Sequence, residues 1–428
     1  MTVVPVPKIE VNRLFKVFGA GEEATIMQLR AGASKDDIQR RTGNIVAVND
    51  VSFSVAEGEI FAVMGLSGSG KSTLIRCINR LIEPSFGNVL IDGEDILCAS
   101  AERLRRIRLE KIAMVFQHFA LFPHMSVLEN VAFGLKTRGV KADVRRRRAL
   151  EVMDIVGLRQ WADAAPDSLS GGMRQRVGLA RALAVNPEVL LMDEPFSALD
   201  PLIRRDMHRE LLQIQQQFRM TIIFITHDLH EALTLGDRIA IMRNGTFVQV
   251  GTREEIVNVP ADDYVAAFTK DVDRGRVLRV ASVMSEADSL IIDETSPAHA
   301  EAYMRQHECT ALFIVDETGR PIGLLTHRDL LRAGKDERSG IRPLLREQFP
   351  IVSDSSPIAD TFGFFSDGLP IAVIDRNHRL CGKVSPTDVL ATLSGRKSGR
   401  QDTELNRAPR SDSRAIAEAG GSMPASRS

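Results

Sequence analysis

No stretch of this sequence could cross a membrane by itself. No window approaches the roughly 18 uninterrupted apolar residues of a spanning helix, and residues 1–10 carry neither the basic start nor the apolar centre of a signal peptide. The expectation is a soluble, unexported chain. Cysteine is scarce: Cys77, Cys98, Cys309 and Cys381 lie far apart with no C-x-x-C pair, which excludes a disulfide framework or a cysteine metal cluster and leaves reduced, mostly packing thiols. Charge of either sign is not in excess. Lys and Arg number 55 against 56 Asp and Glu, a formal net charge of −1, so nucleic acid finds no overall electrostatic attraction. What remains is a 428-residue chain, too long for one core, in which two or three domains are expected.

The densest signal follows Glu59. An apolar strand, Ile60-Phe61-Ala62-Val63-Met64, runs into Gly65-Leu66-Ser67-Gly68-Ser69-Gly70-Lys71-Ser72-Thr73 and then into a helix expected to reach Leu81. Residues 65–72 fit G-x-x-x-x-G-K-[ST], in the strand-before, helix-after setting the pattern requires. Glycines let successive backbone N–H groups turn around a phosphate, and the helix N-terminus adds its dipole. Lys71 can reach the β- and γ-phosphates, and the Ser72 hydroxyl is placed to ligate Mg²⁺.

Other residues stand at places where such a fold puts its chemistry. Residues 9–18 read as a first strand ending in Phe18, which on position alone is either a base-stacking platform or a core or edge aromatic. A polar insert, 20–43, contains a short helix capped at Ser34 and ending at Thr42, with no readable chemistry. Strands follow at 46–55, 87–93 and 112–116. Gln117 lies at the carboxyl end of the last, where open α/β sheets bind ligands, and reads as a group facing Mg²⁺ and water or as a surface residue. Residues 126–169 turn helical, at 127–137 and 142–156, and the run Arg145-Arg146-Arg147-Arg148 reads as a solvated face.

Leu169-Ser170-Gly171-Gly172 opens a helix to Val185, either as a second phosphate-type start or as a plain N-cap. A buried-type strand at 189–193 ends in Asp193-Glu194, two acids suited to Mg²⁺ and a water. Ser197-Ala198-Leu199-Asp200 precedes a helix at 201–218, and the strand 221–226 delivers His227, a γ-phosphate contact or a structural imidazole. A hairpin turning at Asn244-Gly245 closes the sheet, a short helix follows at 262–268, and the charged stretch 269–276 reads as a linker.

Beyond it the chain repeats itself. Residues 281–331 and 351–393 share one order: a helix, an apolar strand (311–315; 370–374), an Asp-centred turn, a second strand, and a helix opened by Thr326-His327-Arg328-Asp329 or Ser385-Pro386-Thr387-Asp388. Residues 394–428, rich in Ser, Arg, Gly and Ala, are expected to be disordered.

The ordered series of residues 65–72, Gln117, 169–172, 189–194, 197–200 and His227 resembles the ATP-binding subunits of ABC transporters over about residues 9–268. Met173 in place of the commoner glutamine, the 20–43 insert and the C-terminal repeat make it similar to the glycine betaine and proline betaine importers, whose tandem cystathionine-β-synthase-type (CBS) module the repeat resembles. The resemblance implies an α/β, P-loop NTPase cassette over 1–270, with a RecA-like core, an antiparallel β subdomain and a helical subdomain at 126–169. A linker at 271–280, CBS repeats at 281–335 and 341–395, and the tail 396–428 complete the expected organisation. Carried onto this sequence, Phe18 stacks on adenine and Gly65, Ser67, Gly68, Ser69, Gly70, Lys71, Ser72 and Thr73 hold the phosphates. Ser72, Gln117 and Asp193 surround Mg²⁺, Glu194 polarises the attacking water, and His227 holds the γ-phosphate. Ser170, Gly171, Gly172 and Asp200 close on the ATP of a second subunit.

The implied partners are a second copy of the chain, integral membrane permease subunits and a periplasmic or lipid-anchored binding protein, with the chain peripheral on the cytoplasmic face of the inner membrane. Choline, proline or histidine are alternative substrates. A soluble ABC protein acting on ribosomes or DNA fits less well, because such proteins carry two ATPase units or a long coiled coil, and this chain has one unit and no heptad run. In the repeats, Thr326, Asp329, Ser385 and Asp388 are read either as holding a regulatory adenine nucleotide or as ordinary caps.

Overall fold

The computed structural model describes residues 7–393 apart from 118, 198, 271 and 334–339. The expected disordered tail therefore lies outside the described residues. The chain divides into two compact units, Met1–Ser282 with Pro357–Ala359, and Val283–Ser356 with residues from Asp360 onward.

The first unit is organised by a six-stranded sheet in the order Thr246–Thr252, Arg238–Arg243, Ile60–Met64, Thr221–Thr226, Val189–Asp193, Ile112–Val115. All neighbours run parallel except the first pair, a hairpin. Every residue of Ile60–Met64, Val189–Asp193 and Thr221–Thr226 is buried, as expected of parallel strands covered on both faces. Their alternating side chains feed two cores. Ala62, Met64, Met192 and Phe224 face the helices Val127–Thr137, Ala142–Ile155 and Gly171–Ala184. Phe61, Val63, Leu191 and Ile225 face a four-stranded antiparallel sheet built from Ile45–Val55, Ile9–Phe18, Phe86–Ile91 and Glu94–Asp95.

Local chemistry sets the element ends. Ser126 and Glu129 form a reciprocal capping box at the start of Val127–Thr137. The helix after the glycine loop stops at Ile78 instead of reaching Leu81, because the Asn79 side chain accepts the Leu81 N–H at 3.1 Å and Arg80 turns to φ 57°. Helix Ala101–Glu110, absent from the sequence reading, packs Leu104 and Ile107 into the second core. The 20–43 insert holds two helices, not one. Glu22–Arg30 and Lys35–Thr42 close a small core of Phe15, Val17, Ile26, Ile38 and Val46.

The stretch read as a linker at 271–280 is also different. Asp273 caps the helix Arg274–Val277, and Val277, Leu278 and Val280 are buried. Charge dominated that reading, while three apolar residues decide where the backbone lies.

The second unit contains two three-stranded sheets of one pattern. Ser289–Ile291 runs parallel to Ala311–Val315, which pairs antiparallel with Pro321–Thr326; Ile351–Ser353, Ile371–Ile374 and Leu380–Val384 repeat the arrangement. The first strand of each sheet was not anticipated. Pro297–Gln306 is the helix expected in the first repeat, but Ile358–Asp367 in the second is a 3-10 stretch, with Gly363 in its middle lowering helix propensity.

Candidate nucleotide site

The glycine loop leaves the fully buried strand Ile60–Met64 and packs on backbone. A Cβ at Gly65 would stand 2.3 Å from the Met242 carbonyl oxygen, and one at Gly70, where φ is 107°, would stand 2.1 Å from that of Ala47. Only glycine fits at these approaches. Gly70 leads the helix Lys71–Ile78 with no side-chain cap, so the first N–H groups of the helix point into the loop without a partner from a capping side chain. Ser69 is buried and its hydroxyl has no hydrogen-bond partner. Lys71, 4% exposed, folds its ammonium back onto the carbonyl oxygens of Gly65 and Leu66, at 2.8 and 3.0 Å. Burial lowers its pKa from the ordinary lysine value, against the raising pull of Glu194 and Asp193.

Three strands end beside the loop. Asp193, fully buried, accepts the Ser72 hydroxyl on one oxygen at 3.0 Å and two donors of Arg76 on the other, at 3.2 and 2.9 Å. Glu194 leaves its strand at φ 46°, in the left-handed region that strains any residue with a Cβ. That turn aims its carboxylate at the two neighbouring strand ends. Oε2 accepts Gln117 Nε2 at 3.2 Å and lies 3.1 Å from His227 Nδ1, which carries the proton if the carboxylate accepts. The sheet order thus gathers two hydrogen-bonded groups, Ser72 with Asp193 and Gln117 with Glu194 and His227, into one constellation next to Lys71. Phe18 ends its strand 41% exposed, with the Lys16 ammonium 5.1 Å above its ring.

Ser170 and Asp200 are not joined to this group by any hydrogen bond among the described residues. Ser170 caps Gly171–Ala184 through the Met173 N–H, and Asp200 caps Pro201–Phe218 through the N–H groups of Leu202 and Ile203. The two helix starts lie against each other, since a Cβ on Gly172 would stand 2.7 Å from a methyl of Ile203. Sequence reasoning missed Arg76. Its position four residues after Ser72, one helical turn on, was the available signal.

In the repeats, Asp329 accepts from the Thr326 hydroxyl at 2.5 Å, returns its own N–H to that oxygen, and binds Arg346 at 2.9 and 3.1 Å. Asp388 makes the same reciprocal cap with Ser385.

A strand, a phosphate-type loop and helix, and two acids at the end of a nearby strand of the same sheet together define a P-loop nucleoside triphosphatase. The ABC transporter family pattern matches residues 48–197 and the CBS domain pattern residues 280–336. Over 389 residues the chain is 45% identical to the glycine betaine transport ATP-binding protein OpuAA of Bacillus subtilis, covering 91% of this chain and 93% of that one. It is 44% identical over 390 residues to the glycine betaine/proline betaine transport system ATP-binding protein ProV of Salmonella typhimurium, covering 90% and 97%. The structure of cbiO1 from Clostridium perfringens, part of the ABC transporter complex cbiONQ, matches with TM-score 0.50 at 27% identity, over 58% of this chain and 90% of that one. The chain belongs to the ATP-binding subunits of ABC transporters, in the glycine betaine and proline betaine branch, and it is an ATPase coupled to transport. No helix among the described residues is long and apolar enough to cross a membrane.

Proposed function

We propose that this subunit energises the import of betaine-type quaternary amines, working as a pair of copies docked on membrane permease subunits that receive substrate from a binding protein. The observation that carries the hydrolytic reading is the Glu194 carboxylate, shared by Gln117 and His227 beside the Asp193–Ser72 pair. Phe18 offers its exposed ring to adenine. The 65–73 loop and Lys71 take the phosphates once the ammonium swings from Gly65 and Leu66. Hard oxygen donors at Ser72 and Asp193, with the Gln117 amide, fit Mg²⁺, which when bound neutralises phosphate charge. Glu194 holds the attacking water, and His227 supports the γ-phosphate from the other side of that carboxylate. Ser170, the two glycines after it and Asp200 face the nucleotide of the second copy, which accounts for a helix start of phosphate type lying outside its own chain's constellation. The repeats act as a regulatory module, and Asp388, which unlike Asp329 with its Arg346 pairs with no cation among the described residues, is the better placed of the two acids to meet an adenine nucleotide.

Glu194→Gln tests the core of this reading. It should keep ATP affinity, stop turnover and trap an ATP-bound dimer on size exclusion; unchanged hydrolysis refutes the assignment. Competition for uptake among glycine betaine, choline, proline and histidine identifies the substrate.

A further inference from the structure

The helix after Asp200 and the helix after His227 meet over a buried group of charges that the scheme above does not use. Glu231, 3% exposed, accepts the Thr226 hydroxyl on Oε2 at 2.6 Å, and the same Thr226 oxygen accepts the Asp228 N–H at 3.0 Å. Glu231 therefore holds the turn that carries His227 from both sides. Arg204 reaches the same turn from the neighbouring helix. Its Nη1 donates to Asp228 Oδ2 at 3.1 Å, and its Nη2 donates to the Leu199 carbonyl at 3.2 Å, one residue before Asp200. One planar guanidinium thus grips the residue after His227 and the residue before Asp200 together.

The grip is incomplete at its centre. Arg204 Nε, His208 Nε2 and Glu231 Oε1 are all buried and without a hydrogen-bond partner, yet Oε1 lies only 3.5 Å from Nε and 3.9 Å from Nε2. Such distances stand just outside hydrogen-bonding range, so a shift of under an ångström in either helix makes or unmakes a charge-assisted bond. Burial raises the Glu231 carboxyl and lowers the His208 imidazole from their ordinary values, so neither is at ease as an isolated charge.

We propose that Arg204 and Glu231 are positioning residues that couple the His227 end of one strand to the Leu199-Asp200 segment. Movement of His227 toward a γ-phosphate is passed to the segment that faces the second copy. The proposal rests on reading Glu194 and His227 as the hydrolytic pair. Its test uses the purified full-length chain with Glu231→Gln, which preserves volume and the acceptor for Thr226, and Arg204→Lys, which keeps the charge but cannot hold Asp228 and the Leu199 carbonyl with one planar group. Each should lower kcat about 10- to 100-fold, the scale set by small misplacement of reacting groups. Binding of a fluorescent ATP analogue and the melting temperature should stay near those of the parent. ATP-driven dimerisation in a Glu194→Gln background should weaken, and the double variant should lose no more than the worse single one. Full turnover in both variants, or a fall in nucleotide binding and melting temperature that parallels kcat, overturns the coupling. If Glu194→Gln alone left turnover intact, the hydrolytic reading itself would fail, a result distinct from failure of this proposal.

Discussion

The helix start at Lys71 and those at Thr326 and Ser385 solve one problem in opposite ways. Each has N–H groups that no residue of its own helix can satisfy. In the repeats, Thr326 with Asp329 and Ser385 with Asp388 close the helix with reciprocal side-chain bonds. At Lys71 the preceding residue is Gly70, and no side chain caps the helix. Open donors suit the phosphate role proposed for this helix, and the surrounding backbone, packed against Ala47 and Met242, holds the loop in place of a cap. A Ser/Thr-x-x-Asp opening is thus first a stabilising device, whatever else the repeats bind.

Supplying the missing cap should erase the difference. Gly70→Asp places a side chain 2.1 Å from the Ala47 carbonyl at a φ of 107°, a strain of about 1–3 kcal/mol, and fills the phosphate cradle. Isothermal titration should show ATP affinity down by about 100-fold or more; retained affinity would mean the open helix start is not the phosphate site. Ser170→Arg asks whether the helix start capped by Ser170 acts on another copy. Turnover should vanish while ATP binding to the monomer stays nearly intact, and an equal loss of both would place Ser170 in its own chain's site.

Acid should find the first unit's buried charges before it finds the repeats. Burial, helped by Arg204 and His230, depresses the His208 pKa to about 4. Above the ordinary value near 6.5 its contribution is complete; as pH falls toward 4 the unfolded chain takes a proton that the folded chain refuses, a loss of about 3 kcal/mol. Glu231, raised by burial, works in the opposite sense, since its folded form takes a proton first. His208→Gln should therefore flatten the fall in melting temperature between pH 6.5 and 4.5, and an unchanged slope would show that other groups set it. The smallest effect belongs to the repeats. Asp388→Asn should cost about 1 kcal/mol, the worth of a cap. Asp329→Asn should cost more, because it also weakens the Arg346 pair. Chemical denaturation measures both, and a large loss of regulation with little loss of stability would give Asp388 a ligand.

Contiguous signals were legible because their physics is local. The strand 60–64, the glycine loop, the helices Val127–Thr137 and Pro201–Phe218 and the strand Thr221–Thr226 stood in the sequence as periodicity, caps and glycines. Helix Ala101–Glu110 did not, since its six Arg and Glu side chains hide the buried pair Leu104 and Ile107. The 271–280 stretch misled for the same reason: charge marks the side that faces water and is silent about the apolar residues beneath it.

The sequence by itself determined which residues could hold a phosphate, a metal or a water, because glycine, lysine, hydroxyl and carboxylate carry that chemistry wherever they are placed. Which of them work together was decided only by the sheet. Gln117 and Glu194 are 77 residues apart, Arg76 and Asp193 are 117 apart, and each pair meets within 3.2 Å because the sheet sets strand ends, and the helix after the glycine loop, side by side. The same holds for Arg204, an ordinary surface-helix arginine in the sequence, which becomes a clamp on Leu199 and Asp228 once two helices pack. Hydrogen bonds act over one or two ångströms, so a contact between distant residues exists only after the core has fixed their backbones.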